Sequence, residues 1–517
     1  MSSNITQMEQ QKNLHNRLWA IANDLRGSME AGEFKHYILG LIFYRYLSEK
    51  LEQTVEILLK DDHLSYEQAW EDTELHNALK EELIEEAGYL IEPQYLFPKI
   101  VRSVHAGTFS VETLHTAIEK MIESTIGFQS RQAFENLFND MDLNSVKLGR
   151  DAAARSQLIA KILCNIHEIP FSYKSSEIDV LGDAYEYLIA QFAATAGKKA
   201  GEFYTPQQVS KILAKIVTIG KNTLKSVYDP TCGSGSLLLQ VAKEADVYNF
   251  YGQELTASTC NLARMNMLLH DIPYTNFSIK NDDTLENDQF TDMYFDAIVA
   301  NPPYSAKWSA SPKFLLDARF SSYGKLPPKS KADYAFVLHM LHHLHPDGVM
   351  AVVLPHGVLF RAAAESIIRR FLIETKNCLD AVIGLPANIF FGTSIPTVIL
   401  VFQKKRAHVD DIYFIDASSD FEKNKNKNAL RDLDVNKIVR HYKLRKTTKK
   451  YARAVTRKEI AENGYNLSIA RYIDRYEEQE NIDINVIMHK LRGLDTQAYK
   501  VDRALNRYLA ELGLEEF

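Results

Sequence analysis

Leu224-Lys225-Ser226-Val227-Tyr228-Asp229-Pro230-Thr231-Cys232-Gly233-Ser234-Gly235-Ser236-Leu237-Leu238-Leu239-Gln240-Val241-Ala242 is the stretch from which the fold is read. It opens as a short strand-like run, passes through a glycine loop and ends with the character of a helix. Strand, glycine loop, helix is the order of a nucleotide-binding unit. Gly233 and Gly235 permit a tight turn and close backbone approach to a ligand, while Asp229 places a carboxylate at the strand end. Glu254 follows Gly235 by nineteen residues, at the end of Phe250-Tyr251-Gly252-Gln253. An acid at that spacing commonly holds ribose hydroxyls. No Walker lysine follows the loop, so a phosphate cradle is disfavoured.

A second motif lies downstream. Phe295-Asp296-Ala297-Ile298-Val299-Ala300 is an apolar run, and Asn301-Pro302-Pro303-Tyr304 follows it directly. Alone, the tetrapeptide would pass for a strand-ending turn. Its chemistry says more. The Asn301 side-chain oxygen and the Pro302 carbonyl are both acceptors, and two acceptors aimed at the two N–H bonds of an exocyclic amine localise its lone pair. The prolines fix φ at both positions and bring no N–H donors, so the carbonyls are held outward. Tyr304 supplies a ring on which a base could stack.

With these residues in view the sequence resembles the class I S-adenosylmethionine-dependent amino-methyltransferases, and more narrowly the DNA adenine-N6 modification subunit of type I restriction-modification systems. Four stretches carry the resemblance: Gly201-Glu202-Phe203-Tyr204-Thr205-Pro206, the Asp229 to Gly235 loop, Asn301 to Tyr304, and Tyr465-Asn466-Leu467-Ser468-Ile469-Ala470-Arg471-Tyr472. It spans nearly the whole chain. The resemblance implies a seven-stranded, mostly parallel Rossmann-like sheet, preceded by an all-helical domain and followed by a helical tail. It implies cofactor roles for Glu202, Phe203, Tyr204, Thr205 and Pro206, for Asp229, Thr231, Gly233, Ser234, Gly235 and Glu254, and for Asn301. Asp283, favoured over Asp282, would meet the cofactor's adenine. Asn301, Pro302 and Tyr304 would act on a flipped adenine, with Phe390 or Phe391 as a second stacking wall, although a pair of aromatics before a strand is more often core. The implied cofactor is S-adenosyl-L-methionine. The implied partners are double-stranded DNA, a specificity subunit served by two copies of this chain, and a restriction subunit as a further candidate. Cytosine-N4 methylation, protein-glutamine methylation and a non-catalytic cofactor-binding scaffold are the competing readings; Asn301, the chain length and the intact turn weigh against them in that order.

The 517 residues suggest two or three domains, and 46% hydrophobic with 25% charged residues is ordinary for a globular protein. The expected division is a helical domain over 1–165, a catalytic domain over 166–475 and a helical, partner-binding tail over 476–517. Leu14, Leu18, Ile21 and Leu25 form one helical stripe, and Gly88, Pro93 and Gly107 are candidate helix ends. Candidate strands are 227–229, 250–253, 277–279, 297–300, 349–354, 381–383 and 397–402. Two amphipathic helices are expected in the tail, from Ile484 to Leu494 and from Val501 to Leu512.

Cysteines 164, 232, 260 and 378 show no paired spacing, so neither a zinc site nor a disulfide framework is indicated, and no Pro-Cys dipeptide offers a nucleophile for cytosine carbon. His339, His342, His343 and His345 lack a metal-binding signature and read as structural. The longest apolar stretch, Tyr37 to Leu47, is interrupted by Arg45 and is far short of the ~20 residues of a membrane span. With no signal peptide, a cytoplasmic protein is expected. The net charge of −7 is awkward for binding DNA alone and argues for a partner. Lys443, Arg445, Lys446, Lys449, Lys450, Arg453, Arg457 and Lys458 form a carboxylate-free basic run that reads equally as a phosphate-contacting patch or a solvated segment. The Ser-, Lys- and Pro-rich stretch between Tyr304 and Ala332 is a long loop beside the turn, either a closing element or a disordered insertion, and Asp333 reads as a helix-capping, structural acid.

Overall fold

The computed structural model describes residues 31–169, 178–195, 205–390, 393–424, 427–474 and 484–515. Residues Met1–Ile473 form one compact unit and Asp474–Phe517 another. The Leu14 to Leu25 stripe lies outside the described residues, as do Glu202, Phe203, Tyr204 and Phe391.

Helices fill the described part of the N-terminal region. The longest, Ala31–Leu58, has Phe34, Ile38, Leu41, Ile42 and Phe43 in the core. Arg45, which breaks the apolar run in the sequence, is buried beside Glu49 and donates to the carbonyls of Ile166 and Ile169. A buried guanidinium is thereby charge-paired and used to satisfy the open carbonyls at the end of the helix Ala152–His167. Gly88 ends the helix Leu75–Ala87 at φ 86°. The helical region docks on the sheet through polar as well as apolar contacts: Lys50 to Asp271 at 2.6 Å, Asn261 to the Asn136 carbonyl at 2.8 Å, and Arg264 to the carbonyls of Glu135 and Ile279. Among the described residues no helix is long and apolar enough to cross a membrane.

The sheet contains β1 (Thr223–Asp229), β2 (Asp246–Glu254), β3 (Phe277–Asn281), β4 (Phe295–Ala300), β5 (Leu344–Pro355), β6 (Leu379–Gly384), β7 (Thr397–Gln403), β8 (Asp411–Asp416) and, after a two-residue hairpin of β9 (Glu422–Lys423) and β10 (Asn428–Ala429), β11 (Ala452–Thr456). Its order is β11-β8-β6-β7-β5-β4-β1-β2-β3. Nine strands therefore stand where seven were expected. The seven anticipated are all present, and β8 and β11 extend the sheet as an antiparallel edge pair. β11 carries a charged residue amid small ones, whereas β8 contains the short apolar run Ile412 to Ile415 between two aspartates, which the sequence reading passed over. β6 and β7 are antiparallel, as are β5 and β7; β1, β2, β3, β4 and β5 are mutually parallel. The central strands are buried along nearly their whole length, which is why they read as continuous apolar runs.

β1 pairs with β2 on one side and β4 on the other, with Val227 opposite Ala297 and Tyr228 opposite Ile298. The chain direction of the crossovers reverses there, making β1/β4 the topological switch point, where ligands bind at the strands' carboxyl ends.

The tail is one continuous helix, Ile484–Glu511, and not two. Gly493 and the polar residues after Leu494 do not end it, because a lone glycine costs a helix only about 1 kcal/mol.

The basic run is divided by the fold. Arg445 pairs with Asp380 at 3.3 Å and with Asp411, Arg453 with Glu459 at 2.5 Å, and Arg457 donates to the Glu374 carbonyl at 2.8 Å. Those three arginines are structural, whereas Lys443, Lys446 and Lys449 are exposed. Asp380 is 4% exposed and also accepts from Arg406 and Tyr442. Asp380→Ala removes the buried carboxylate that Arg406, Arg445 and Tyr442 share. It should cost about 3–5 kcal/mol of unfolding free energy in urea titration, whereas Lys449→Ala should change it by less than about 0.5 kcal/mol.

Candidate active site

The loop after β1 is held by its own polar groups and by the strands beside it. Thr231 donates its backbone N–H to Asp229 Oδ1 at 2.9 Å, Cys232 N donates to the Gln253 carbonyl at 3.0 Å, and Gly235 N donates to the Cys232 carbonyl at 2.8 Å. Asn266, buried on the helix Ala257–Leu269, donates to the Ser234 carbonyl at 3.0 Å. Gly235 has φ 78° and opens the helix Ser236–Ala242; a Cβ there would lie 2.9 Å from Met267 Cε. The left-handed turn and the close packing both demand glycine.

Glu254 closes the loop from β2. Its Oε2 accepts from Gly233 N at 3.1 Å and its Oε1 from Thr256 N at 2.9 Å, leaving each carboxylate oxygen a lone pair for a ligand hydroxyl. Burial pushes its pKa up, against those amide bonds. Asp229 is 2% exposed, and burial pushes its carboxyl up to about 8, with the Thr231 amide opposing and the Glu254 charge reinforcing the shift. Two acids thus face one loop, and among the described residues no cation is a hydrogen-bond partner of either. That pair of acceptors suits a ligand with hydroxyl groups and positive charge.

Beyond β3, Asp283 Oδ1 accepts from Leu285 N at 2.9 Å and Glu286 N at 3.2 Å. Asp282 is instead occupied by the side chains of Asn287 and Gln289. Thr284 donates its hydroxyl to the Pro230 carbonyl at 2.5 Å, tying this turn to the first loop.

Asn301 leaves the end of β4 with both ends of its amide engaged. Nδ2 donates to Thr205 Oγ1 at 3.1 Å, and Oδ1 accepts from the Tyr304 hydroxyl at 2.8 Å. Thr205 and Pro206 thus reach the turn, and Pro206 opens the helix Gln207–Val217. The Tyr304 ring meets Phe390 edge to face, with centroids 5.8 Å apart and an interplanar angle of 81°. Phe390 is itself buried, as a core aromatic is.

The stretch after Tyr304 is an ordered loop and not a disordered insertion. Trp308, Phe314 and Phe320 pack on one another with centroids 5.2–5.5 Å apart, and Trp308 donates to the Pro328 carbonyl. Arg319, 6% exposed, makes a bidentate pair with Asp317 and donates to the carbonyls of Thr284 and Leu285, binding the loop to the Asp283 turn. It also donates to His339 Nδ1 at 3.2 Å.

Asp288, His339 and His343 place ligand atoms within 4.8 Å of one another. Hydrogen bonds occupy all four ring nitrogens: His339 meets Arg319 and Tyr228, and His343 meets the Met293 carbonyl at 2.8 Å and Asp288 at 2.9 Å. Burial raises the Asp288 carboxyl, but the His343 hydrogen bond and both histidines outweigh it and hold it well below the usual range. The group is a polar staple under the sheet.

Sequence reading missed Asn266, Thr284 and Arg319, which fix the loops. Polar residues inside apolar or loop segments were the available signal, but nothing local says what they bind.

Two family models match the chain: the N-6 DNA Methylase model over residues 176–481 and the HsdM N-terminal domain model over residues 14–166. The chain is 39% identical over 508 residues to the type I restriction enzyme MpnII methylase subunit of Mycoplasma pneumoniae, covering 93% of each. It is 27% identical to the MjaIX methylase subunit of Methanocaldococcus jannaschii, covering 96% of this chain and 91% of that one. Its structure is similar to that of the type I restriction-modification methyltransferase subunit from Streptococcus thermophilus, with TM-score 0.83 and 44% identity over 90% of this chain and 100% of that chain.

The Asp229 shift has a measurable consequence for the protein without ligand. Its pKa is raised on folding from the ordinary carboxylate range to about 8, so the folded state binds the proton more tightly and stability falls as pH rises through that window. Asp229→Asn should therefore gain unfolding free energy relative to wild type between pH 5 and pH 9, read by urea titration across pH; a pH-independent difference would rule out a neutral, buried Asp229.

Proposed function

The chain belongs to the type I restriction enzyme methylase subunits of the N-6 DNA methylase family, and we propose that it transfers the methyl group of S-adenosyl-L-methionine to N6 of adenine in double-stranded DNA. One observation carries this reading: the acid-lined glycine loop and the Asn301 turn leave hydrogen-bonded neighbouring strands, β1 and β4, at the switch point. A separate specificity subunit, two copies of this chain and a restriction subunit complete the proposed assembly, consistent with the net charge of −7.

The cofactor supplies an electrophilic methyl group. The residues here fit it: Glu254 offers carboxylate lone pairs to ribose hydroxyls, and Asp229 offers a buried carboxylate that a cation would ionise. Thr231, Ser234 and the two loop glycines shape its seat, with Asp283 at the adenine end. The target base leaves the duplex at a cost of about a few kcal/mol, offset by Tyr304 and Phe390. Asn301 Oδ1 and the Pro302 carbonyl accept from the two N–H bonds of adenine N6. With the cofactor bound, the N6 lone pair, turned out of the ring's conjugation, would form the new N–C bond as the methyl–sulfur bond of the sulfonium breaks with its electron pair left on sulfur, and the proton released from N6 would pass to solvent. Thr205 sets the Asn301 amide so that Oδ1 points where the turn points.

The Tyr304 hydroxyl competes with the base, since it already donates to Asn301 Oδ1. A hydrogen bond of this kind is worth about 0.5–1.5 kcal/mol net. Tyr304→Phe keeps the ring and frees the acceptor, so kcat/KM for DNA should rise by roughly two- to tenfold. A loss as large as that of Tyr304→Ala would show that the hydroxyl, not the ring, serves the base.

The test of the whole reading is tritiated methyl transfer into DNA with nucleoside analysis, using this chain alone and with co-purified partners from its native source. N6-methyladenine formed only with the partner is expected. Label in cytosine or in protein would favour those substrates, and cofactor binding with no transfer even in the complex would favour a scaffold. Asn301→Ala and Tyr304→Ala should lose transfer while keeping cofactor affinity, whereas Asp229→Ala and Glu254→Ala should lose cofactor affinity itself. Equal losses of affinity in all four variants would contradict the division of roles.

A further inference from the structure

We propose that Asp333, Arg361 and Glu365 form a positioning clamp that aims the Asn301 to Tyr304 turn, acting through Ser305. The inference rests on the reading of that turn as the methyl-transfer site. Ser305, the first residue after the turn, has φ 50°. A left-handed conformation is unfavourable for a non-glycine residue, so something must hold it. Its backbone N–H donates to Asp333 Oδ1 at 2.8 Å and its hydroxyl to Asp333 Oδ2 at 3.3 Å. Arg361 completes the device: Nη1 meets Asp333 Oδ2 at 2.7 Å and Glu365 Oε1 at 3.0 Å, while Nη2 donates to Ser305 Oγ at 3.2 Å.

The ordinary explanation of Asp333, that it caps its own helix, does not fit. It is the first residue of the helix Asp333–His343, whose N-cap is Ala332 and which has no side-chain cap. Its carboxylate is fully buried and turned toward Ser305 and Arg361. Arg361 is fixed in turn: its amide donates to the Gly357 carbonyl at 3.0 Å, its carbonyl accepts from Arg369 at 3.0 Å, and a Cβ on Gly357 would come within 2.6 Å of its Nε. The clamp therefore ties the end of β4 to the segment that follows β5. The prolines make the turn stiff, but a stiff turn still pivots about its ends. Thr205 restrains the Asn301 side chain, and Ser305 N–H, held by a buried charge, restrains the exit.

The test compares Asp333→Asn, Arg361→Lys and Ser305→Ala in the full chain co-purified with its partners. Single-turnover transfer should fall roughly 10–100-fold in Asp333→Asn, because small misplacements of positioned groups cost that much. Cofactor affinity and a one-to-one binding stoichiometry should stay within twofold of wild type. Arg361→Lys, which keeps the charge but loses the planar fork that spans Asp333, Glu365 and Ser305, should be intermediate, and Ser305→Ala, which keeps the N–H, should be mild. Hydrogen exchange at Ser305 N–H should accelerate in Asp333→Asn, a readout that needs no activity. Wild-type transfer in Asp333→Asn, proportional loss of cofactor binding, or unchanged exchange would overturn the clamp. If Asp333→Asn does not fold, an unchanged rate in Arg361→Lys overturns it. A wild type that never methylates DNA would instead overturn the reading of the site, leaving the exchange result to decide the clamp.

Discussion

The parallel pairing of β1 with β4 is the constraint on which the rest of the site depends. Two strands from different parts of the chain, registered Val227 to Ala297 and Tyr228 to Ile298, end side by side. Whatever follows each strand is forced into the same crevice. The glycine loop follows one and the Asn301 turn follows the other, so separate motifs become one site without either contacting the other through a long side chain. Burial on both faces of these strands makes the register expensive to shift, because a one-residue slip would exchange every side chain between the two faces.

Around that crevice the protein spends buried charge on positioning. Burial raises the pKa values of both Asp229 and Glu254, and among the described residues neither carboxylate has a cationic hydrogen-bond partner, which leaves the loop receptive to positive charge. Elsewhere acids are paired with arginines: buried Asp333 with Arg361, half-buried Asp317 with Arg319, and buried Asp380 with Arg406 and Arg445. Removing one member of such a pair is far more damaging than the pair is stabilising, so these groups act as fixed struts. Acids without a cationic partner among the described residues at the glycine loop thus contrast with paired acids behind the turn.

The loop between Tyr304 and Ala332 illustrates how composition misleads. Serine, lysine and proline suggested a segment without a core of its own. Trp308, Phe314 and Phe320 supply a small aromatic cluster, and Arg319 nails it to the carbonyls of Thr284 and Leu285. The basic run after His441 misled in the same way, since its arginines find carboxylates and carbonyls on other strands and helices.

By itself the sequence determined the strand–loop–helix unit, the acid at Glu254, the rigid Asn301 to Tyr304 turn and the seven apolar strands, because each is written in consecutive residues: glycines that only a tight turn needs, prolines that fix φ, buried runs with no polar face. It also marked Gly88 as a helix end. Only the tertiary structure decided the two added strands, β8 whose apolar run is four residues long and β11 which is short and mixed, and the single tail helix, whose glycine was too weak a break. It alone brought Thr205 to Asn301, Phe390 to Tyr304 and Asp333 to Ser305, across 96, 86 and 28 residues of chain. Such pairings depend on which strand ends are neighbours, and no local pattern encodes that, since hydrogen-bond partners distant in sequence are selected by the packing of the sheet.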